Sequence, residues 1–196
     1  MSLADIKNYR IVAFQGASSA VIQALLAEIA EKLSTRGLRV AGLVESASSG
    51  PNPCKSMELR SLEDGHRFVI SQDLGPGSEA CNLHPEGLAL ACAAVEQSIV
   101  RGADVVILSK FGKQEALGSG LIDAFSAAFA AGVPIMTSVS PALMSEWRHF
   151  VGEFSECVTP DAARCASWLD GWLHDCVTGP HIPDLVRPAI GRATSA

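Results

Sequence analysis

The 196-residue sequence lacks the features that would place the protein in a membrane, in the secretory pathway or on a nucleic acid. No apolar run reaches the roughly 18–20 residues of a membrane-spanning helix, and the first residues have neither the charged nor the apolar region of a secretory signal. Basic residues are in deficit, since 15 Lys and Arg stand against 21 Asp and Glu and the net charge is −6. A general nucleic-acid binder would show a basic excess. These absences predict a cytoplasmic protein that contacts neither a membrane nor nucleic acid.

The cysteines have no spacing typical of a metal centre. None of the six forms a CxxC pair, and no Cys and His set matches a zinc site, so no metal is predicted. Cys54 and Cys81 lie in predicted polar loops, where they could form a redox pair or bind a soft metal, although ordinary thiols are the simpler interpretation. Cys92 and Cys165 fall in helical patterns and are predicted core residues.

Apolar runs and helical stripes alternate along a chain of ordinary globular composition, with 48% hydrophobic and 18% charged residues. Continuous apolar runs predict buried strands over residues 9–15, 38–44, 103–109 and 133–139, with a short strand over 156–158. Helical patterns cover residues 18–35, 85–101, 117–131, 143–150 and 161–176. An Asp-Gly pair between residues 57–62 and 66–70 predicts a β-hairpin.

This order predicts a single three-layer α/β domain over residues 1–178, built on a parallel sheet with an inserted β-hairpin, and a flexible tail over residues 179–196. In open sheets of this kind, ligands bind beyond the carboxyl ends of the strands. The segments that follow the predicted strands are therefore the places to search for a site.

The first candidate segment follows the first strand and contains Gly16, Ser18 and Ser19. A strand-to-helix turn directs free backbone N–H groups and the positive end of the helix at one point, which suits an oxyanion. A nucleotide-binding loop has the pattern G-x-x-x-x-G-K-[ST], and this turn has no lysine. An ordinary turn without a ligand is an equal alternative.

The second candidate segment contains Lys110, Gly112, Lys113 and Glu115, directly after the most apolar predicted strand. Two lysines and a carboxylate beside a glycine turn favour an anion site at the sheet edge. A solvated loop that contains lysine is the alternative interpretation.

The third candidate segment, residues 71–78, contains Asp73, Gly75, Gly77 and Ser78. Its glycines would let backbone amides approach a ligand closely, and Asp73 could orient a lysine or bind a cation. A surface connection explains the composition equally well.

The run ADVVILSKFGKQE, followed by a helix and VPIMTSV, resembles the Walker B region of the small bacterial and archaeal nucleoside-triphosphatases related to the P-loop kinases. In those enzymes the strand ends in Asp-Glu, followed by a hydrophobic residue, Gly, two variable residues and Glu. Gly112 and Glu115 match that frame, whereas Ser109 stands in place of the Asp that binds magnesium and Lys110 in place of the catalytic Glu. The resemblance implies a P-loop-NTPase-like fold with degenerate hydrolytic motifs.

A closer resemblance, over residues 9–175, is to an uncharacterised bacterial family whose genes often lie near molybdate-transport genes. Two segments carry it: CKSMELRSLEDGHRFVISQDLGPGSEACNLHP and LSKFGKQEALGSGL. This resemblance implies a fold and a cellular context, and it implies no reaction.

The missing lysine and carboxylates predict a site that binds charge without a metal. Lys110 and Lys113 would replace Mg²⁺ in neutralising a small dianion, and no group is placed to activate water. We therefore expect a protein that binds an oxyanion, or the phosphate of a small metabolite, without NTP hydrolysis. Gene context alone favours molybdate or tungstate as that oxyanion, and the sequence identifies no cofactor.

Two alternatives stay open. One is a nucleotide-dependent enzyme, an NTPase or a phosphoryl or nucleotidyl transferase, in which Lys110 stabilises developing charge and Glu115 or Asp73 acts as base. The other is an interaction protein with a vestigial site that works through a partner or as a homodimer. Trp168 and Trp172, four residues apart on one helical face, would supply the interface, although core packing explains them as well.

Overall fold

The structure is a computed structural model that describes residues 11–46, 57–72, 82–152, 155–163 and 166–178. In chain order, its strands are β1 (Ile11–Phe14), β2 (Val40–Glu45), β3 (Glu58–Ser61), β4 (Arg67–Val69), β5 (Ser71–Gln72), β6 (Asn82–Leu83), β7 (Val105–Leu108), β8 (Ile135–Ser138) and β9 (Ser155–Val158). Its helices are α1 (Ser19–Thr35), α2 (Pro85–Val100), α3 (Lys113–Ala116), α4 (Ile122–Ala130), α5 (Met144–Val151), α6 (Pro160–Ala163) and α7 (Ala166–Thr178).

A seven-stranded sheet in the order β4-β3-β2-β7-β8-β1-β9 organises the chain. The strands from β2 to β9 in that order are parallel, so their carboxyl ends lie at one edge. β3 and β4 add an antiparallel hairpin beside β2, which confirms the predicted insertion. β5 and β6 pair separately.

Successive side chains of the central strands point into two different cores. Ile11 and Ala13 of β1 belong to a cluster with residues of α2, α4 and α5, whereas Val12 and Phe14 belong to a cluster with residues of α1 and α7. All four are fully buried. Because a sheet covered on both faces needs apolar residues at consecutive positions, the continuous apolar run predicted this arrangement. The three-layer α/β fold is confirmed.

Helix α1 begins and ends where the sequence predicts. Ser18 is the N-cap, and its hydroxyl accepts a hydrogen bond from the Val21 N–H at 3.5 Å. The helix ends before Arg36, and Gly37 follows with a φ of +83°. α1 therefore presents its amino end at the carboxyl edge of the sheet, directly after β1.

The helix predicted over residues 117–131 is wrong over residues 117–121, because α4 begins only at Ile122. The structure has the one-turn helix α3, then a turn, and only then α4. Gly118 and Gly120 have φ values of +77° and +70°, a left-handed conformation that ends a helix. The helix predicted over residues 161–176 corresponds to α6 and α7, and residues 164–165 lie outside the described part.

The predicted domain boundary and the tail over residues 179–196 lie at and beyond the end of the described residues, so both stay predictions. Within the described part of the chain, no helix is both long and apolar enough to cross a membrane.

Candidate functional site

The carboxyl ends of the parallel strands bring the first two candidate segments to one edge of the sheet. The turn after β1 carries Gly16, Ser18 and Ser19, and the segment after β7 carries Lys110 and Gly112. Phe111 continues the sheet beyond β7 through a parallel bridge to Val139 after β8. The two segments are also connected through a side chain at the end of β2.

Glu45, the last residue of β2, connects the two candidate segments. Its Oε1 lies 2.6 Å from the Lys110 Nζ, and its Oε2 accepts a hydrogen bond from the Ser19 Oγ at 3.2 Å. The Lys110 side chain is 46% exposed and that of Glu45 24%. The Glu45 carboxylate therefore lies between the Lys110 ammonium group and the hydroxyl group of Ser19, which belongs to the first turn of α1.

Gln23, a buried residue of α1, ties the ends of β2 and β7 together. Its Nε2 donates to the Ser109 carbonyl at 2.7 Å, and its Oε1 accepts from the Glu45 N–H at 2.9 Å. The Ser138 Oγ donates to the same Ser109 carbonyl at 2.8 Å. The backbones that carry Glu45 and Lys110 are thus fixed relative to each other.

The turn after β1 is held by its neighbours while the first turn of α1 faces the site. The Gln15 N–H donates to the Val158 carbonyl at 3.1 Å, and its side-chain amide contacts the Met144 sulfur. α1 has 17 residues, so its amino end carries a partial positive charge from the aligned peptide dipoles. This end, the Ser19 hydroxyl and the Lys110 ammonium form one electropositive region, which the carboxylate of Glu45 occupies.

The contacts of Glu115 indicate that it stabilises the fold. Its side chain is buried, and its two oxygens accept hydrogen bonds from the N–H groups of Gly112 and Leu121, both at 2.8 Å. A Cβ added at Gly120 would lie 2.2 Å from the Glu115 Oε1, so only glycine fits beside the carboxylate. Glu115 thereby fixes the turn from α3 to α4. Lys113 is exposed at the start of α3.

The third candidate segment lies mostly outside the described residues. Asp73, Gly75, Gly77 and Ser78 all fall there, so their part in a site stays a prediction. The part of the chain outside the described residues also contains Cys54, Cys81 and Cys165. Cys92 is buried, as predicted.

The tryptophans lie largely in the cores. Trp147 is fully buried against Phe111 and Phe125, and its Nε1 donates to the Ser155 Oγ at 2.9 Å. Trp172 is buried and stacks on Trp168 with ring centroids 6.5 Å apart. Trp147 and Trp172 are therefore core residues, which for Trp172 agrees with the core-packing alternative.

Sequence reasoning missed Glu45 and Gln23. Glu45 ends an otherwise apolar strand, so the rule that ligands bind at the carboxyl ends of strands would have selected it. Gln23 lies on the buried stripe of α1, where an amide side chain needs hydrogen-bond partners. Among the described residues, no group of three or more His, Cys, Asp or Glu is arranged to hold a metal ion.

Two sequence comparisons relate the chain to known proteins. The model of a family described as "Protein of unknown function (DUF2478)" matches residues 11–168. The molybdenum import ATP-binding protein ModC 2 of Bradyrhizobium diazoefficiens is 35% identical over 169 residues. That match covers 86% of this chain, and the chain spans only 19% of the relative.

Two solved structures share the fold at low sequence identity. THEP1 from the hyperthermophile Aquifex aeolicus matches with a TM-score of 0.57 and 14% identity, over 82% of this chain and 94% of that one. The solution structure of a human cancer-related nucleoside triphosphatase matches with a TM-score of 0.56 and 17% identity, over 86% of this chain and 95% of that one. The chain has a P-loop-NTPase-like fold and belongs to the DUF2478 family of proteins of unknown function.

Proposed function

We propose that the protein binds a small oxyanion, free or as the phosphate of a small metabolite, without hydrolysing a nucleoside triphosphate. The site lies between Lys110, Ser19 and the amino end of α1. The observation that carries the proposal is the position of the Glu45 carboxylate, which contacts the Lys110 ammonium and the Ser19 hydroxyl. These groups already hold one anionic group of the protein itself.

The chemistry of those groups suits an external oxyanion as well. An ammonium group, a hydroxyl group and the amino end of a helix all stabilise negative charge. Lys110 is half-exposed, so its flexible side chain can contact a ligand in addition to Glu45. Lys113 and the segment with Asp73, Gly75, Gly77 and Ser78 stay in the proposal as further ligand-binding groups.

Three features support binding without NTP hydrolysis. The turn after β1 has no lysine to bind the β and γ phosphates. The end of β7 offers Ser109 and Lys110 where a carboxylate would organise magnesium and water. Glu115, the remaining carboxylate of the segment, already accepts two backbone hydrogen bonds.

A link to molybdenum homeostasis is part of the proposal. Support comes from the relative of this chain that is named a molybdenum import ATP-binding protein. Because the chain spans a small share of that relative, its transport activity is not carried over. Molybdate and tungstate accordingly join phosphate and sulfate as the anions to test.

The test is a thermal-shift screen with molybdate, tungstate, sulfate, phosphate, ATP and GTP, each with and without Mg²⁺. A ligand that binds only the folded protein raises the melting temperature. We expect a shift with an oxyanion in the absence of Mg²⁺, and its loss in Lys110→Ala. Lys32→Ala is the matched control, because Lys32 forms a similarly exposed ion pair with Glu28 at 2.7 Å, on the solvent side of α1. An unchanged shift in Lys110→Ala would refute this location.

A nucleotide-dependent enzyme is the second candidate, favoured by the ATP-binding relative and by the fold. It predicts a thermal shift only with nucleotide and Mg²⁺, and turnover that Lys110→Ala abolishes. An interaction protein with a vestigial site predicts no shift with any ligand and a stable complex in a pull-down.

A further inference from the structure

We infer that Glu45 makes the site selective for oxyanions that can offer it a proton near neutral pH, namely inorganic phosphate and phosphate monoesters bound as the monoanion, over sulfate and molybdate. The link to molybdenum proposed above would then not depend on molybdate bound at this site. This inference rests on the proposed function, since it concerns the same site. The class of ligand follows from a carboxylate that stays beside the bound anion.

Glu45 is held in place from several sides. Its N–H donates to the buried Gln23 side chain at 2.9 Å, and the next N–H, that of Ser46, donates to the Glu58 carbonyl at 2.9 Å. The carboxylate itself contacts Lys110 and Ser19. Because this backbone is fixed, an anion that binds to Lys110 and Ser19 meets a carboxylate anchored at the edge of its own site.

An ionised carboxylate can only accept hydrogen bonds. Its Oε2 receives one long hydrogen bond, from the Ser19 Oγ at 3.2 Å, which leaves a lone pair of that oxygen for a second donor. Sulfate and molybdate carry no proton at neutral pH, so they present only acceptors to Glu45 and the two anions repel. Phosphate always carries a proton at this pH and can donate a short, charge-assisted O–H···O⁻ hydrogen bond.

The charge balance strengthens this discrimination. Lys110 lies 2.6 Å from Glu45, so the pair offers almost no net charge to an incoming dianion. The amino end of α1 adds about half a positive charge. A shared proton is thus needed to turn the contact with Glu45 from repulsion into attraction. Phosphate monoesters, with a second pKa near 6, can meet the same need by binding as the monoanion.

The test is calorimetric titration at pH 7 in EDTA with phosphate, methyl phosphate, sulfate and molybdate. A site built around one hydrogen bond rejects analogues that lack the donor strongly, so we expect the wild-type protein to prefer phosphate over sulfate and molybdate by about 100-fold or more. Comparing the affinities for methyl phosphate and inorganic phosphate shows whether the site prefers a phosphate ester or the free ion. In Glu45→Gln, which adds an amide donor and removes the charge, we expect the preference to fall below about 10-fold because sulfate and molybdate gain affinity.

Glu58→Gln is the matched control on the neighbouring strand, where Glu58 pairs with Arg67, and it should keep the wild-type preference. Equal affinity of the wild type for sulfate and phosphate, or an unchanged preference in Glu45→Gln, overturns the inference and leaves the anion site standing. Binding of no oxyanion, or binding that Lys110→Ala leaves intact, overturns the proposed function itself. Should Glu45→Gln fail to fold, the ranking of anions by the wild type decides alone.

Discussion

Replacing Glu115 with Gln should destabilise the fold far more than a surface carboxylate replacement of the same kind. Glu115 is 7% exposed, and each of its oxygens accepts a backbone N–H at 2.8 Å, from Gly112 and Leu121. Glutamine has nearly the same shape but keeps only one acceptor oxygen. Its NH₂ group would face the second backbone N–H, and two donors cannot pair.

The expected magnitude follows from those two contacts. A hydrogen bond to a charged group contributes about 1.5–3 kcal/mol, and a buried N–H left without an acceptor costs about 1–3 kcal/mol. Glu115→Gln weakens one contact and breaks the other, so we expect a loss of about 2–4 kcal/mol in the free energy of unfolding. Relative to a typical total of about 5–15 kcal/mol, that loss is large.

Urea unfolding followed by circular dichroism measures the loss. Glu28→Gln is the control, because Glu28 forms an exposed ion pair with Lys32 on α1 and should change the free energy by less than about 0.5 kcal/mol. The reasoning is refuted if Glu115→Gln costs less than about 1 kcal/mol or no more than the control.

Three further predictions concern Gln23, Lys110 and Cys92. Gln23→Leu leaves the partly buried Glu45 N–H without its acceptor and should lower the free energy of unfolding by about 1–3 kcal/mol in urea titrations; unchanged stability would contradict the bridge between β2 and β7. Lys110→Ala removes a half-exposed ion pair and should lower the free energy of unfolding by about 1 kcal/mol or less. A larger loss would mean that this variant fails to bind ligand because it unfolds. Burial raises the pKa of the Cys92 thiol from 9.0 to about 11. Above pH 9 the unfolded chain releases that proton and the folded protein keeps it, so stability is intact below pH 9. Between pH 9 and pH 11, the free energy of unfolding of the wild type should fall by about 1 kcal/mol per pH unit relative to that of Cys92→Ala. Parallel plots of this free energy against pH for the two proteins would contradict the prediction.

The layers of the fold could be predicted because the sequence patterns reflect burial directly. Residues buried on both faces of a sheet are apolar at successive positions, as in β1 and β7. Ser18 and Gly37 mark the ends of α1 through local hydrogen bonding and backbone conformation. Such signals lie within a few neighbouring residues, so one sequence suffices to detect them.

The late start of α4 could not be predicted from the apolar pattern, which favoured a helix from residue 117. Helix α4 begins only at Ile122, where the preceding Leu121 N–H donates to the Glu115 carboxylate six residues earlier in the chain. Gly118 and Gly120 were visible in the sequence as helix-breaking residues, but an isolated glycine is tolerated within many helices. The hydrogen bonds of a buried carboxylate to two nearby N–H groups hold this turn.

The sequence predicted that two candidate segments lie at one edge of the sheet, but not that Glu45 contacts both of them. The segments with Ser19 and Lys110 were selected because they follow strands, and the structure brings them to the same edge of the sheet. Glu45 lies 65 residues before Lys110 in the sequence, so their ion pair depends on the pairing of β2 with β7. No local pattern encodes a partner at such a separation.

A crystal structure of the protein grown with arsenate and without Mg²⁺ would show whether an anion binds between Lys110, Ser19 and Glu45. Arsenate carries a proton near neutral pH as phosphate does, and its arsenic atom can be located by anomalous scattering. We expect one arsenic peak within hydrogen-bonding reach of the Lys110 ammonium and the Ser19 hydroxyl, with an arsenate oxygen against the Glu45 carboxylate. A well-occupied peak elsewhere, with the Glu45 and Lys110 pair unchanged and empty of anion, would contradict this expectation.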